Sequence, residues 1–93
     1  MTRRIDLSAA AERDLARVIG FLEPLSASAA VRVARTIRTA ILRLEDVPML
    51  GVALEGDRRR LSIPFGKSGY SVEYRVDPDR VVIARIFHMR EDR

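Results

Sequence analysis

The C-terminal stretch from Arg58 to Arg93 constrains the fold of this chain most strongly. It contains three apolar or alternating runs, and the segments between them, Gly66 to Gly69 and Asp77 to Asp79, are typical of tight turns. Short strands joined by such turns form an antiparallel meander, in which each strand pairs with its neighbour in sequence. We therefore predict a three-stranded meander that the rest of the chain supports.

Alternation along this meander predicts which side chains face the core. In the first two strands the apolar faces are Leu61, Ile63 and Phe65, followed by Tyr70, Val72, Tyr74 and Val76. The last strand is apolar on both faces, and either Val82, Ala84 and Ile86 or Val81, Ile83 and Phe87 could face outward. We expect this strand to be central, or its outer face to be covered.

The first half of the chain is predicted to contain a short strand and two amphipathic helices. The strand covers Arg3 to Leu7, the first helix Ala9 to Glu23 behind the N-cap Ser8, and the second helix Ala27 to Asp46. Pro24 ends the first helix and leaves so short a connection that the helices must form an antiparallel hairpin. The segment from Pro48 to Asp57 has no sustained period and is predicted to be a loop. The order of these helices and strands along the chain predicts one α+β domain over residues 1–93, with the helix hairpin packed on an antiparallel sheet.

Gly20 and Pro64 each lead to a prediction about their immediate surroundings. A glycine inside a helix costs up to about 1 kcal/mol relative to alanine. We therefore expect Gly20 to mark a close approach by a neighbouring helix. Pro64 has no amide hydrogen, so we expect that this position of the first meander strand faces no neighbouring strand.

The net charge of +4 is unevenly distributed along the chain. Residues 1–57 hold eight arginines and eight acids, whereas residues 58–93 hold eight arginines and one lysine against five acids. Arginine makes planar, bidentate contacts with carboxylates and phosphates. The excess predicts either a nucleic acid or an acidic protein segment as partner, or a surface that is simply solvated. The same alternatives hold for the arginine-rich face of the second helix, which carries Arg32, Arg35 and Arg43.

Composition excludes several kinds of site. The chain has no cysteine, and its single histidine cannot form a zinc site without several carboxylates beside it. Lys67 follows Gly66 but lacks the earlier glycine of a phosphate-binding loop. No apolar run approaches the roughly 18 residues that a membrane span needs. We expect a soluble cytoplasmic protein without cofactor, metal or membrane association.

His88 is the chain's only histidine and lies at the end of the last predicted strand, close to Arg90 and in the same sheet as Arg75. A histidine near arginines is compatible with acid-base cleavage of RNA, in which the histidine moves a proton and arginine stabilises the phosphate. The alternative is a partly buried histidine that is hydrogen-bonded at a strand end. The residues alone favour this second interpretation.

Several short motifs accompany this order of elements, each at one position in the chain. They are Ala9-x4-Asp14-Leu15, Ala40-Ile41-x-x-Leu44, Pro48-x-x-Gly51, Arg60-Leu61, Gly69-Tyr70, Tyr74-Arg75-Val76 and Ile86-Phe87-His88. In this order and spacing they resemble the RelE/ParE superfamily of type II toxin-antitoxin toxins. The resemblance covers nearly the whole chain, and the ending from Val82 to Asp92 is most similar to the ParE branch.

The resemblance implies one of two activities. ParE-like toxins inhibit DNA gyrase and block replication, whereas RelE-like toxins are ribosome-dependent endoribonucleases that cut mRNA with basic residues and an acid-base group. The ending of this chain lacks the terminal tyrosine that many RelE-like nucleases place after the last strand. The resemblance therefore favours a gyrase inhibitor, which performs no covalent chemistry, over an mRNA endoribonuclease. A third possibility is an inactive module that only binds an antitoxin.

The resemblance also implies partners and a working surface. Either kind of toxin forms a hetero-oligomer with a cognate antitoxin, ParD-like in the ParE branch, which we expect to cover apolar side chains on the hairpin and the sheet. The residues that bind the antitoxin remain undefined. For a gyrase inhibitor we expect the target surface to comprise Arg75, Arg85, His88 and Arg90. For a nuclease, the candidate catalytic residues are His88, Arg85 and Arg75.

Overall fold

The computed structural model describes residues 2–91, which form two helices packed on a five-stranded sheet. The elements are β1 (Arg4–Leu7), α1 (Ala9–Leu22), α2 (Ala27–Leu42), β2 (Val52–Ala53), β3 (Arg58–Phe65), β4 (Ser68–Val76) and β5 (Arg80–His88), with 3₁₀ turns at Arg43–Glu45 and Pro48–Leu50. The strand order is β1-β5-β4-β3-β2. The predicted α+β class, with its helix hairpin and C-terminal meander, is confirmed.

The sheet is mixed rather than wholly antiparallel. Strands β3, β4 and β5 form the predicted antiparallel meander, but β1 runs parallel to β5, from the pair Arg4 and Arg80 to the pair Leu7 and Ile83. Parallel neighbours need a long connection, and here both helices and the first two meander strands lie between β1 and β5. Strand β5 therefore has a neighbour on each side, as its apolar character predicts.

A β-bulge breaks the alternation of β5. Tyr74 pairs with Ile83 but Glu73 pairs with Arg85, so Ala84 is an extra residue on β5. Because of this extra residue Ile83 and Ile86 are both completely buried, and Val81 is buried with them. The prediction of two fixed faces for β5 was therefore wrong, since simple alternation places Ile83 and Ile86 on opposite sides.

Side-chain caps define both helix starts. Ser8 Oγ accepts a hydrogen bond from the Ala11 amide at 3.0 Å, and Ser26 Oγ accepts one from the Ala29 amide at 3.1 Å. The apolar stripes of the helices join one face of the sheet in a single core, whose largest fully buried side chains are Tyr74, Ile37, Leu44, Ile83, Ile86, Val33, Val72 and Val81. Helix α2 ends at Leu42 and continues only as the 3₁₀ turn, so its predicted end at Asp46 lies four residues beyond the α-helix. None of the helices within residues 2–91 is long and apolar enough to cross a membrane.

The structure corrects two interpretations of glycine. A Cβ added at Gly20 would meet no atom within 4 Å, so the predicted close packing at this position is wrong. Only Gly66 occupies the turn between β3 and β4, where its φ of +60° favours glycine. Gly69 lies inside β4 opposite Pro64, and a Cβ there would collide with the Ile63 carbonyl oxygen.

The predicted loop from Pro48 to Asp57 is only partly irregular, because it contains β2 and is fastened to the sheet by Tyr74. The buried Tyr74 hydroxyl donates to the Pro48 carbonyl at 2.7 Å and accepts from the Gly51 amide at 2.8 Å. Burial raises the pKa of the Tyr74 phenol, which therefore remains a neutral donor. Through these two hydrogen bonds the Tyr74 side chain positions the segment that leads from α2 to β2 at the edge of the sheet.

Candidate functional site

Asp14 of α1 joins the helix to the second half of β5. Asp14 is 3% exposed, and its carboxylate accepts from Arg85 Nε at 2.8 Å, from the Ile86 amide at 2.9 Å and from Arg17 Nη1 at 2.8 Å. A buried carboxylate is stable only when its oxygens are paired in this way. The arrangement holds the Arg85 side chain against the helix, where its guanidinium carbon also lies 4.8 Å from the centre of the Phe87 ring.

Side chains of α1 and of its N-cap Ser8 complete the edge of β5 that β1 leaves uncovered. Strand β1 pairs with β5 only as far as Ile83, and beyond that point Ser8 Oγ donates to the Ala84 carbonyl at 2.9 Å. Asp14 then accepts from the Ile86 amide, and Arg17 Nη2 lies 3.4 Å from the Ile86 carbonyl. Consequently this edge offers a partner strand few free backbone groups.

The environment of Asp14 strongly favours its ionised form. Burial raises the pKa of this carboxyl, but hydrogen bonds from Arg85, the Ile86 amide and Arg17 outweigh it and lower the pKa from 3.8 to about 2. Asp14 is therefore charged throughout the physiological range. Its position and its four hydrogen bonds, two of them from Arg85, identify it as a positioning residue for Arg85.

His88 lies at the end of β5, half-buried, with its ring edge-on to Tyr70 at a centroid distance of 5.2 Å. Its Nδ1 accepts from the Arg90 amide at 3.1 Å, which leaves the proton of a neutral ring on Nε2. The His88 amide donates to Glu91 Oε2 at 3.1 Å. The structure thus matches the interpretation of a histidine hydrogen-bonded at a strand end, while leaving Nε2 without a partner among residues 2–91.

A groove of about 440 Å³ opens beside His88, between α1 and the end of β5. Its apolar lining comes from Val18, Phe21, Leu22 and Tyr70, and its polar rim from Arg17, His88, Arg90 and Glu91. Phe21 is 70% exposed although it is a large aromatic residue. Such an exposed aromatic beside a partly polar groove is typical of a surface that binds another molecule.

Arg75 lies far from this groove. It pairs with Val82 near the opposite end of β4 and β5, whereas His88 pairs with Tyr70. Six residues of extended strand separate the two positions on β5, which corresponds to roughly 20 Å. Arg75 instead binds Asp77, with Nε and Oδ1 2.9 Å apart, and this hydrogen bond is the main cause that lowers the pKa of Asp77 to about 2.

The structure therefore brings together three of the four predicted surface residues. Arg85 and His88 lie in the last part of β5 and Arg90 lies in the turn that follows it, although Arg85 is turned to Asp14 while His88 and Arg90 line the groove. Sequence reasoning missed Asp14, Arg17 and Phe21 as parts of this region. The available signal was an acid at helical spacing between the apolar residues Ala11 and Val18, but Asp14 entered the sequence analysis only as part of the motif Ala9-x4-Asp14-Leu15.

Most arginines of the meander are engaged by groups of the chain itself. Arg58 and Arg60 both approach the buried Glu73 carboxylate, at 3.5 and 3.1 Å, and Arg59 donates to the Gly51 carbonyl at 2.7 Å. Within residues 2–91, no group of three or more His, Cys, Asp or Glu side chains is placed to hold a metal ion. The groove beside His88 therefore presents arginine, histidine, one carboxylate and apolar side chains to a bound molecule.

Comparison with known proteins identifies the family. The model of "ParE toxin of type II toxin-antitoxin system, parDE" matches residues 5–93. The chain belongs to this toxin family. Two curated relatives from Caulobacter vibrioides support this result: Toxin RelE1 is 34% identical, with both chains covered completely, and Toxin RelE3 is 37% identical over 98% of this chain and 99% of its own. The predicted membership of the RelE/ParE superfamily is confirmed.

Solved structures share the fold of this ParE-family toxin. The chromosomal ParDE toxin-antitoxin system from P. aeruginosa aligns with a TM-score of 0.77, at 19% identity over 94% of this chain and 96% of that chain. The toxin-antitoxin complex RelBE2 from Mycobacterium tuberculosis aligns with a TM-score of 0.55, at 26% identity over 95% and 99% of the two chains. Both alignments extend over nearly the whole chain and show that it shares the fold of these structures.

Proposed function

We propose that this toxin inhibits DNA gyrase in the cytoplasm, blocks replication and so arrests growth, and that a cognate ParD-like antitoxin neutralises it. The family whose model matches is that of the ParE toxins, and a structural neighbour is a ParDE system. Inhibition by binding needs a recognition surface but no catalytic group. That requirement agrees with arginines that are mostly held in ion pairs.

The observation that carries this choice is the separation of Arg75 from His88. A phosphate-cleaving site needs its proton-transfer group and its charge-stabilising group within about 3 Å of the reacting atoms. Arg75 and His88 lie at opposite ends of the β4–β5 pair, and Arg85 is occupied by the buried Asp14. The three residues that a nuclease was expected to use therefore do not converge on one phosphate.

The surface we propose for the target is the end of β5 with the adjoining groove. His88 and Arg90 supply polar contacts there, while Arg85, held by Asp14, presents a fixed positive charge. A surface that combines arginine, histidine and an exposed aromatic provides both orientation and buried apolar area. Arg75 would contribute a separate contact on the other end of the sheet.

We propose that the antitoxin covers the end of the helix hairpin at which the turn joins α1 to α2, and assembles with the toxin into a hetero-oligomer. Phe21 and Leu25, at the end of α1 and in the following turn, are 70% and 71% exposed. A partner that covered these exposed side chains would remove their apolar area from water. Coverage of Phe21 would also obstruct the groove beside His88.

The second candidate function is mRNA cleavage on the ribosome. It is favoured by the relatives named RelE1 and RelE3, and by the Nε2 atom of His88, which has no partner among residues 2–91. In that case His88 would transfer the proton, and Arg90, which lines the same groove and forms no ion pair within residues 2–91, would stabilise the phosphate. An inactive antitoxin-binding module is the third candidate, and it would show neither activity.

The deciding experiment is a supercoiling assay with purified gyrase, with and without the purified toxin. We expect inhibition of supercoiling, and in cells filaments with induced DNA-damage signalling after expression of the toxin alone. A parallel reaction with programmed ribosomes should leave the mRNA intact. Cleaved mRNA together with unaffected gyrase would replace this proposal by the nuclease, and no effect in either assay would leave only the binding module.

A further inference from the structure

One face of α2 carries only arginines and hydroxyl side chains. At about 100° per residue, six positions fall within a sector of the helix that is about 100° wide. They are Ser28, Arg32, Arg35, Thr36, Thr39 and Arg43, the last of which begins the 3₁₀ turn that continues the helix. We name this set the α2 stripe. All of its members are exposed except Thr36, which is half-buried.

The side chains that α2 buries lie on the opposite face of the helix. They are Ala30, Val33, Ile37 and Ile41. Two exposed apolar residues of α2, Val31 and Leu42, lie beside the α2 stripe but not in it. The stripe is about 22 Å long, because an α-helix rises about 1.5 Å per residue. It therefore presents a straight row of hydrogen-bond donors to the solvent.

The arginines of the α2 stripe keep their positive charge free. Arg32 donates to the Ser28 hydroxyl at 2.9 Å, a contact within the stripe, and no carboxylate of residues 2–91 forms an ion pair with its three arginines. Helix α2 contains no Asp or Glu. In contrast, five arginines of the meander lie within 3.5 Å of a carboxylate oxygen: Arg58, Arg60, Arg75, Arg80 and Arg85. Folding thus neutralises much of the charge on the meander but not the charge on α2.

The composition of the α2 stripe matches phosphate better than protein. Arginine, serine and threonine side chains are among the groups that donate to the phosphates of DNA. A protein interface has an apolar centre, and the stripe contains no apolar side chain. Single-stranded nucleic acid is held by stacking on aromatic rings, which the stripe also lacks. A duplex instead presents a regular row of phosphates, one for each 3.4 Å or so of each strand.

We propose that the α2 stripe binds double-stranded DNA through its phosphate backbone. Each arginine neutralises a phosphate and releases its counterions, while the hydroxyls donate further hydrogen bonds. Asparagine and glutamine, which read adenine in the major groove, are absent from the stripe, so we expect little sequence preference. No residue of α2 lines the groove beside His88. Binding of DNA here therefore does not depend on gyrase being the target.

Fluorescence anisotropy of a labelled DNA duplex of about two helical turns tests this site with the purified protein at low salt. R32Q/R35Q/R43Q should weaken binding at least about tenfold. It should also reduce the slope of log affinity against log salt concentration by about 2 to 3, since each phosphate contact contributes about 0.9. The matched control is R13Q/R38Q/K67Q, which removes three charges at exposed positions outside the stripe and should change affinity less than about threefold.

Melting curves verify that both triple variants are folded, and each single arginine-to-glutamine variant of the stripe should reduce the slope by about 1 if the triple variant unfolds. An RNA duplex should bind more weakly, because its accessible groove presents 2′-hydroxyls and the stripe offers no carboxylate or amide to accept from them. Absence of DNA binding at low salt, or equal weakening by the two triple variants, would overturn the proposal. Tighter binding of the RNA duplex or of polyglutamate would overturn it as well, in favour of RNA or of an acidic protein.

Discussion

The Asp14 carboxylate binds the Arg85 guanidinium at 2.8 Å and so connects helix α1 to the strand on which the candidate surface lies. The same carboxylate accepts from the backbone amide of Ile86, as a neighbouring strand would do. Helix α1 thereby replaces β1 along the last part of β5. The position of the surface residues thus depends on one buried acid that itself does not contact a target.

Replacement of Asp14 by Asn should destabilise the protein by about 2 to 4 kcal/mol, because the buried network loses its charge and one acceptor oxygen while Arg85 and Arg17 lose their partner. Urea unfolding measures this loss. Glu55→Gln is the control, since Glu55 is exposed and forms no ion pair within residues 2–91. Equal stability of the Asp14→Asn variant and the control would show that the carboxylate does not hold the helix to the strand.

The free energy of unfolding should also decrease at acid pH, because Asp14 becomes protonated. The folded state holds the pKa of this carboxyl at about 2, below its ordinary value of 3.8, so the unfolded chain binds more protons between these pH values. The contribution is complete above about pH 4 and is lost progressively toward about pH 2, amounting to about 2 kcal/mol. Unfolding free energies measured across this range should therefore slope less steeply for Asp14→Asn than for the natural protein. Asp77 also has a lowered pKa, but it is present in both proteins and cancels in the comparison.

Removal of the Tyr74 hydroxyl should destabilise the protein by about 1 to 3 kcal/mol, because the Gly51 amide and the Pro48 carbonyl would lose a buried partner. Tyr70→Phe is the matched control, since Tyr70 is equally part of the sheet core but its hydroxyl makes no hydrogen bond within residues 2–91. Hydrogen exchange of Tyr74→Phe should show faster opening at residues 48–53 than in the rest of the sheet. An unfolding curve identical to that of Tyr70→Phe would contradict this anchoring role.

Local patterns predicted most of this fold because each element carries its own signal. Ser8 and Ser26 are N-caps, the turn at Gly66 has a positive φ, and the strands of the meander pair with their neighbours. The parallel pairing of β1 with β5 and the bulge at Ala84 depend on contacts between residues distant in sequence. No local period encodes such contacts, and for that reason the two faces of β5 were assigned wrongly.

The candidate site was harder to predict than the fold. The sequence places His88 two residues before Arg90, and in the structure both side chains line the same groove. The distance between Arg75 and His88 depends on the register between β4 and β5, and the use of Arg85 depends on Asp14 from another element. The sequence shows that the excess positive charge lies in residues 58–93. It does not show that carboxylates pair with most of these arginines, because the ion pairs form only when the chain folds.

Two glycines should respond in opposite ways to replacement by alanine. Gly69→Ala should destabilise the protein by more than about 1 kcal/mol, because the new Cβ collides with the Ile63 carbonyl oxygen in the neighbouring strand. Gly20→Ala should instead stabilise it by up to about 1 kcal/mol, because the position is helical and open. Thermal unfolding of the two variants measures both effects, and a loss of stability in Gly20→Ala would reveal a contact that the structure lacks.

Substitutions at the end of β5 should separate recognition from proton transfer. On the gyrase proposal, His88→Gln retains inhibition of supercoiling within about threefold, since glutamine keeps polar contacts but cannot transfer the proton that acid-base catalysis requires. Arg90→Ala should weaken inhibition more strongly, because it removes an exposed charge from the proposed contact surface. Arg13→Ala, an exposed arginine of α1 outside the groove, is the matched control. Dose-response curves with purified gyrase provide the comparison, after melting curves have verified that each variant is folded. If His88→Gln abolished toxicity while Arg90→Ala behaved like Arg13→Ala, proton transfer at His88 would be essential and the endoribonuclease would become the better account.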